Sequence, residues 1–380
     1  MRRFILWLVL IAVAGVALVA IKPPAAVGPD APPEQFSAAR AMSHLQHFAT
    51  KPHPIGSAAN ATARDYLATA LTALGGEVRV ERTVGLHARG RFIRAGNAEN
   101  IVARFPGRAN QRAVMLVAHY DSVPQGPGAA DDGAGVISIL ETVRALRAGP
   151  PLQNDVLVLL TDGEEPGLLG SAGFVADHPD LARQVGVILN LEARGTSGPA
   201  LMFETSVGNG WLIHELAQSA PSLLASSLMY AAYQLLPNDT DLSELKRTGV
   251  PAMNFAFTET IQCYHTRLDT KENLDPRSVQ HLGANVLGLS QHFGHLPLTE
   301  TRKPDCVYFD WLGHRLVHYP MWMVWVIALA TFALLLAAWL TGRRDHAVTF
   351  SFTGIVAFLL LLGAAAGGML ALWSSSARPV

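Results

Sequence analysis

From about Phe36 to about Leu298, apolar residues recur in two rhythms. Short, nearly unbroken apolar runs occupy 114–119 (VMLVAH), 155–161 (DVLVLLT), 185–191 (VGVILNL) and 251–257 (PAMNFAF). Two more extended stretches, EVRVERTVG (77–85) and NIVARFPG (100–107), also read as strands. Between them lie segments with helical spacing: 57–76, 135–149, 167–178, 211–221, 242–249 and 277–293. Ser57 is placed to cap the first helix, and the Gly75-Gly76 pair to stop it. Continuous apolar strands need cover on both faces, and helices alternating with them supply it. The pattern predicts an α/β three-layer sandwich with a mostly parallel mixed sheet over 36–298.

Three longer apolar stretches change that picture. FILWLVLIAVAGVALVAI (4–21) follows Arg2 and Arg3; 319–342 and 350–373 lie at the other end, joined by a loop carrying Arg343 and Arg344. Each is long enough to cross a hydrocarbon core of ~30 Å. Composition agrees: half of the 380 residues are hydrophobic, 16% are charged, and mean hydropathy is +0.24. A cleaved signal peptide is the competing reading of the first stretch, but AIKPPAAVG lacks a clean small-x-small pattern before its prolines. The expectation is therefore an uncleaved anchor (1–22), a Pro/Ala-rich linker (23–35), a connector (299–318) and two further spans. Both arginine pairs lie on the cytoplasmic side if the N-terminus does, which puts the 36–298 domain across the membrane, in a periplasmic, extracellular or luminal space. A net charge of −1 leaves no basic surplus for a nucleic-acid partner. Cys263 and Cys306 both fall in the exported part, where a disulfide is chemically allowed, and Asn60 and Asn238 begin glycosylation triplets.

The chemistry gathers where the strands end. After VMLVA come His119 and Asp121, with Asp131 and Asp132 opening the next helix. After VLVLL come Glu164 and Glu165, after VGVIL comes Glu192, and beyond PAMNFAF comes His265. Ligands of open α/β sheets sit at the carboxyl ends of the strands. Singly, each feature has an ordinary reading: a loop, a helix cap, a solvated helix start, a surface histidine. Jointly, at four successive strand ends, imidazoles and carboxylates without thiolates suit zinc or another divalent first-row ion. Asp121 is spaced to accept the second ring N–H of His119. Of the adjacent Glu164 and Glu165, one can hold metal while its neighbour takes a proton from water.

The motifs HYDS (119–122), PGAADDGAG (127–135), DGEEPGLLGS (162–171), NLEARG (190–195) and YHTRLDT (264–270) resemble the di-zinc aminopeptidases typified by aminopeptidase Y and the secreted bacterial leucyl aminopeptidases. PHPIGSAANATARDYL (52–67), TDLSELKRTGVPAMNF (240–255) and the apolar stretches look most like the endoplasmic-reticulum metallopeptidase branch and its bacterial relatives. The resemblance implies a zinc exopeptidase-like fold and hydrolysis of peptides with a free N-terminus. It implies that Asp131 bridges two zinc ions across a cis peptide to Asp132, that His119 and Glu192 complete one site, and that Glu165 and His265 complete the other. It makes Glu164 the general base and Asp121 the partner of His119. Asp241 falls where relatives often carry a pocket aspartate, but Leu242 follows it rather than histidine. Two alternatives share the fold: a glutaminyl cyclase, which keeps one working zinc, and a non-catalytic receptor or scaffold lacking parts of the metal set.

Overall fold

The computed structural model describes residues 21–344 except 90, 91, 110, 221, 223, 312 and 314, together with isolated positions within 4–19. The expected third span, 350–373, lies outside the described residues. Contacts divide the chain into two units: Met1–His87 with Ile93–Tyr319, and Ala88–Phe92 with Pro320–Val380.

The first unit is built on an eight-stranded sheet. Its strands are β1 (Glu77–Arg89), β2 (Phe92–Phe105), β3 (Gln111–His119), β4 (Asn154–Thr161), β5 (Val185–Ala193), β6 (Leu201–Thr205), β7 (Leu224–Ala225) and β8 (Ala252–Phe257), in the order β1-β2-β4-β3-β5-β8-β6-β7. The four central strands, β4-β3-β5-β8, are mutually parallel; β2 and β6 join them antiparallel. This is the expected mixed sheet, and β6 and β7 extend it beyond the strands read from the sequence.

Strand side chains alternate between faces, and both faces are buried. Val114, Leu116 and Ala118 of β3 belong to one core cluster, while Ala113, Met115 and Val117 belong to the other. The first cluster takes in the helices α1 (Ala58–Ala73), α2 (Gly133–Ala148) and α5 (Pro276–Phe293) through Leu67, Ile137 and Leu282. The second takes in α3 (Leu169–Asp177) and α4 (Asp241–Leu245) through Phe174, Leu242 and Leu245. The caps explain where the helices start: Ser57, Asp132 and Asp275 each accept a backbone N–H of their first turn, and Pro276 occupies the first position of α5.

Residues 299–318 carry more than a plain connection. Asp305 accepts the N–H groups of Gly208 and Asn209, and Cys306–Trp311 pairs with Arg315–Pro320 as a two-stranded sheet. Cys263 and Cys306 are both buried free thiols. Asn60, the head of one glycosylation triplet, is buried and donates its side-chain amide to Asp162, so the folded chain does not offer it for modification.

In the second unit, Met323–Arg344 is helical. Among the described residues no helix is long and apolar enough to cross a membrane; the first expected span, 4–21, lies largely outside them. Apolar side chains along Met323–Arg344, Trp325, Leu329, Phe332 and Leu334 among them, are exposed.

Candidate metal centre

Each of the four central parallel strands delivers a charged side chain at its carboxyl end. His119 closes β3 and continues the row of Met115 and Val117; Glu192 continues the row of Ile188 and Asn190 on β5. The pleat therefore sends both off the same face. Glu164 and Glu165 sit just beyond β4, on a loop that turns at Gly163 (φ +71°). His265 lies beyond β8 with its own φ at +54°, in the left-handed region.

Asp131 stands between the two imidazoles. Its Oδ1 lies 3.2 Å from His119 Nε2 and its Oδ2 lies 3.0 Å from His265 Nε2. His265 Nε2 is also 3.0 Å from Glu165 Oε2, and His119 Nε2 is 3.8 Å from Glu192 Oε2. The peptide between Asp131 and Asp132 is cis. Among the described residues two ligand-capable groups result, His119 with Asp131 and Glu165, and His119 with Asp132 and Glu192. Asp132 is already committed to the backbone: its oxygens accept the N–H of Gly135 at 3.0 Å and of His119 at 3.3 Å.

Asp121 is more of a tie than the sequence spacing suggests. The His119 Nδ1 lies 3.0 Å from the Asp121 backbone carbonyl and 3.5 Å from its carboxylate. That carboxylate accepts the N–H of Glu164 at 3.0 Å and of Glu165 at 3.4 Å. One residue thus fixes the imidazole at the end of β3 and the glutamate loop beyond β4.

Burial and crowding set the protonation chemistry. Burial pushes Glu164, Glu192 and Asp132 well above the usual carboxylate range, and Glu165 up to about 7. Burial alone would depress His119, but hydrogen bonds to Asp121 and Asp131 carry it well above its ordinary value. The same balance, through Asp131 and Glu165, carries His265 to about 9. Burial would raise Asp131, yet its two histidine partners hold it below the ordinary range. So many carboxylates in one buried place repel one another unless cations lie among them. Glu165 Oε1 is buried without a hydrogen-bond partner, as befits an oxygen reserved for a metal. Imidazole and carboxylate donors of this kind fit zinc.

Several residues at the site were not singled out by sequence reasoning. Asp269, inside the YHTRLDT stretch, accepts the N–H groups of Ala130 and Asp131 at 2.7 and 3.1 Å. Asn190 donates to Glu192 Oε1 at 3.3 Å and to Asn254 Oδ1 at 3.0 Å; Asn254 donates to Glu204 at 3.0 Å; Glu204 pairs with Lys246. This row follows strand register, since Asn190 and Glu204 both lie opposite Asn254. Glu204 can only accept, so it dictates that Asn254 turns its oxygen to Asn190 and that Asn190 turns its amide to Glu192. Asp241, which the sequence did single out, is buried and accepts from Thr161.

Fold and site together define a mixed-sheet α/β protein of the zinc exopeptidase-like fold with a candidate two-metal centre at the carboxyl ends of its central strands. Residues 100–290 match peptidase family M28, and the chain belongs to that family. It is 32% identical over 309 residues to endoplasmic reticulum metallopeptidase 1 of Rattus norvegicus, covering 75% of this chain and 34% of the relative. It is 28% identical over 283 residues to the vacuolar membrane protease of Candida dubliniensis, covering 71% of this chain and 30% of the relative. The chain thus spans about a third of the length of these relatives. Among solved structures, an aminopeptidase from Aneurinibacillus sp. strain AM-1 superposes with a TM-score of 0.55 at 14% identity, over 73% of this chain and 97% of that one. A glutaminyl cyclase of Porphyromonas gingivalis gives 0.53 at 21% identity, over 67% and 98%. These structural likenesses speak to the fold.

Proposed function

We propose that the chain is a di-zinc aminopeptidase that removes N-terminal residues from peptides. The observation that carries this reading is the placement of Asp131, one oxygen toward His119 and the other toward His265, each imidazole with its own carboxylate, Glu192 or Glu165. His119, Asp131 and Glu192 would hold one zinc; Asp131, Glu165 and His265 the other. When bound, the pair supplies Lewis acidity toward the scissile carbonyl and lowers the pKa of a water to about 7.

The chain's own groups do the rest. Glu164 is left off both ligand sets, yet it lies close enough to His119, Glu192 and Glu165 to feel their charge, and its carboxyl is held well above the usual range. In its ionised form a carboxylate of raised proton affinity takes a proton from the attacking water and returns it to the leaving amine. Asp121 holds the backbone of Glu164 so that this side chain stays beside the reacting atoms. The catalytic domain is further read as membrane-attached and non-cytoplasmic, supported by exposed apolar side chains along the helix Met323–Arg344 and by relatives whose names refer to the endoplasmic reticulum and to the vacuolar membrane.

Glu164→Gln removes the proton acceptor but none of the ligands. Turnover should fall by at least ~10²-fold while zinc content stays at two per chain. Undiminished hydrolysis would remove Glu164 from the role of base. With a peptide beginning in glutamine, loss of that residue supports the aminopeptidase, whereas loss of ammonia alone would make the protein a cyclase.

A further inference from the structure

Two residues after Glu192, where β5 has ended, Arg194 is held by its backbone N–H to the Phe257 carbonyl at 3.0 Å. Its guanidinium lies 5.5 Å from the centre of the Tyr264 ring. Tyr264 in turn stacks on His265, ring centres 3.7 Å apart and planes 19° from parallel. The three groups form a pile: imidazole of the metal centre, phenol, guanidinium. The Arg194 Nε is buried and has no hydrogen-bond partner. Among the described residues no carboxylate forms an ion pair with Arg194, although the neighbouring centre is crowded with them. A half-buried cation with an unused donor is costly unless something pairs with it.

We propose that Arg194 binds a carboxylate on the leaving side of the substrate, so that preferred substrates carry an acid one residue beyond the scissile bond. The inference rests on the aminopeptidase reading and adds a substrate class to it. The geometry matches in scale. The stacking distances put the guanidinium carbon no further than about 9 Å from the centre of the His265 ring. In a dipeptide the terminal carboxylate carbon lies under ~4 Å from the scissile carbonyl carbon, and a forked guanidinium–carboxylate pair adds ~4 Å more. A guanidinium offers a planar fork for a carboxylate, which a lysine does not. Two sources can supply the acid: the free C-terminus of a dipeptide, or an acidic side chain at the second position of a longer peptide.

Three substrates separate them: Leu-Ala, Leu-Ala-amide and Leu-Asp-amide. Wild-type protein should favour Leu-Ala over Leu-Ala-amide by about 10- to 100-fold in kcat/KM, the worth of one charge-assisted fork. Equal rates on Leu-Asp-amide and Leu-Ala would assign the preference to any nearby acid; a slow Leu-Asp-amide would assign it to the C-terminus. Arg194→Gln should bring the acid and amide substrates within ~3-fold of each other by slowing only the acid, and Arg194→Lys should restore little of the difference. Zinc content and melting temperature of both variants should match wild type. Calorimetry on Glu164→Gln protein, with and without Arg194→Gln, should show Leu-Ala binding weakened by the second change and Leu-Ala-amide binding untouched. A wild-type enzyme indifferent to the acid, or an Arg194→Gln variant that loses both substrates alike, would overturn the assignment while leaving the aminopeptidase reading intact. Failure to cleave any of the three would strike that reading instead.

Discussion

Asp269 offers the sharpest test of how the centre is held. Its two carboxylate oxygens accept the N–H groups of Ala130 and Asp131, and its own carbonyl accepts the N–H of Ala129 at 3.2 Å. It is buried, and it fastens the segment bearing Asp131 to the segment bearing His265. A Cβ at Gly126 would collide with the carbonyl of Thr266, so the two segments are already in tight contact. A hydrogen bond to an ionised group contributes about 1.5–3 kcal/mol. The two together would suggest up to ~6 kcal/mol, but burial and the nearby Asp131 push the Asp269 carboxyl up to about 7, so part of that gain is spent on keeping it ionised. An expectation of ~2–4 kcal/mol for Asp269→Leu follows. Asp269→Asn keeps one acceptor and turns an amide N–H toward a backbone N–H, and should cost about half as much. The more telling effect is on metal: freeing the Asp131 backbone should weaken zinc binding ~10- to 100-fold, the usual cost of losing a group that orients a ligand. Competition with a chromophoric chelator measures that affinity, and thermal melting measures the stability. An Asn variant with wild-type zinc affinity and unchanged melting would refute the claim that Asp269 sets the bridging aspartate.

Two further outcomes follow from the charges. Chelation should lower the melting temperature, and increasingly so as pH rises. Glu165 in the fold is raised to about 7 from an ordinary value near 4.5, so its contribution is full below ~4.5 and is lost as pH rises through 7, unless a cation offsets it. Melting curves from pH 5 to 8, with zinc and with chelator, test this; parallel curves would contradict it. The buried His281 behaves oppositely. It accepts the Ala200 N–H at 2.9 Å and donates to the Ser222 carbonyl, and burial depresses it below 6.5. Its stability contribution is present above 6.5 and is lost as pH falls from there through the lower folded value. His281→Gln can supply the same acceptor and donor without titrating, so its melting temperature should fall less between pH 7 and 5 than the wild-type value does.

What the sequence displays and what it hides divide along a physical line. Strands β3, β4, β5 and β8 are legible because burial on both faces forces an unbroken apolar run, and a polar residue at the end of such a run has nowhere to go but the ligand-bearing rim. That is why His119, the Glu164–Glu165 pair, Glu192 and His265 stand out from order alone as candidates, while the choice of Glu165 over Glu164 comes only from the family resemblance. β6 escapes notice because it has one short stretch, LMFET, whose Glu204 breaks the apolar run. Only the register opposite Asn254 shows that this glutamate belongs to the row leading to Glu192. Asn60 shows the converse: its triplet reads as a surface signal, but the partner that buries it, Asp162, lies 102 residues away. Asp269 acts across 138 and 139 residues and Arg194 across 70, through backbone N–H groups and a ring face that carry no side-chain identity of their own. A role defined by the neighbour's backbone leaves no local pattern in either segment. The candidate ligands stand out because like charges gathered at one rim demand a counter-charge. The groups that hold those candidates in place are scattered singly along the chain, so nothing in their composition asks for an explanation until the fold brings the segments together.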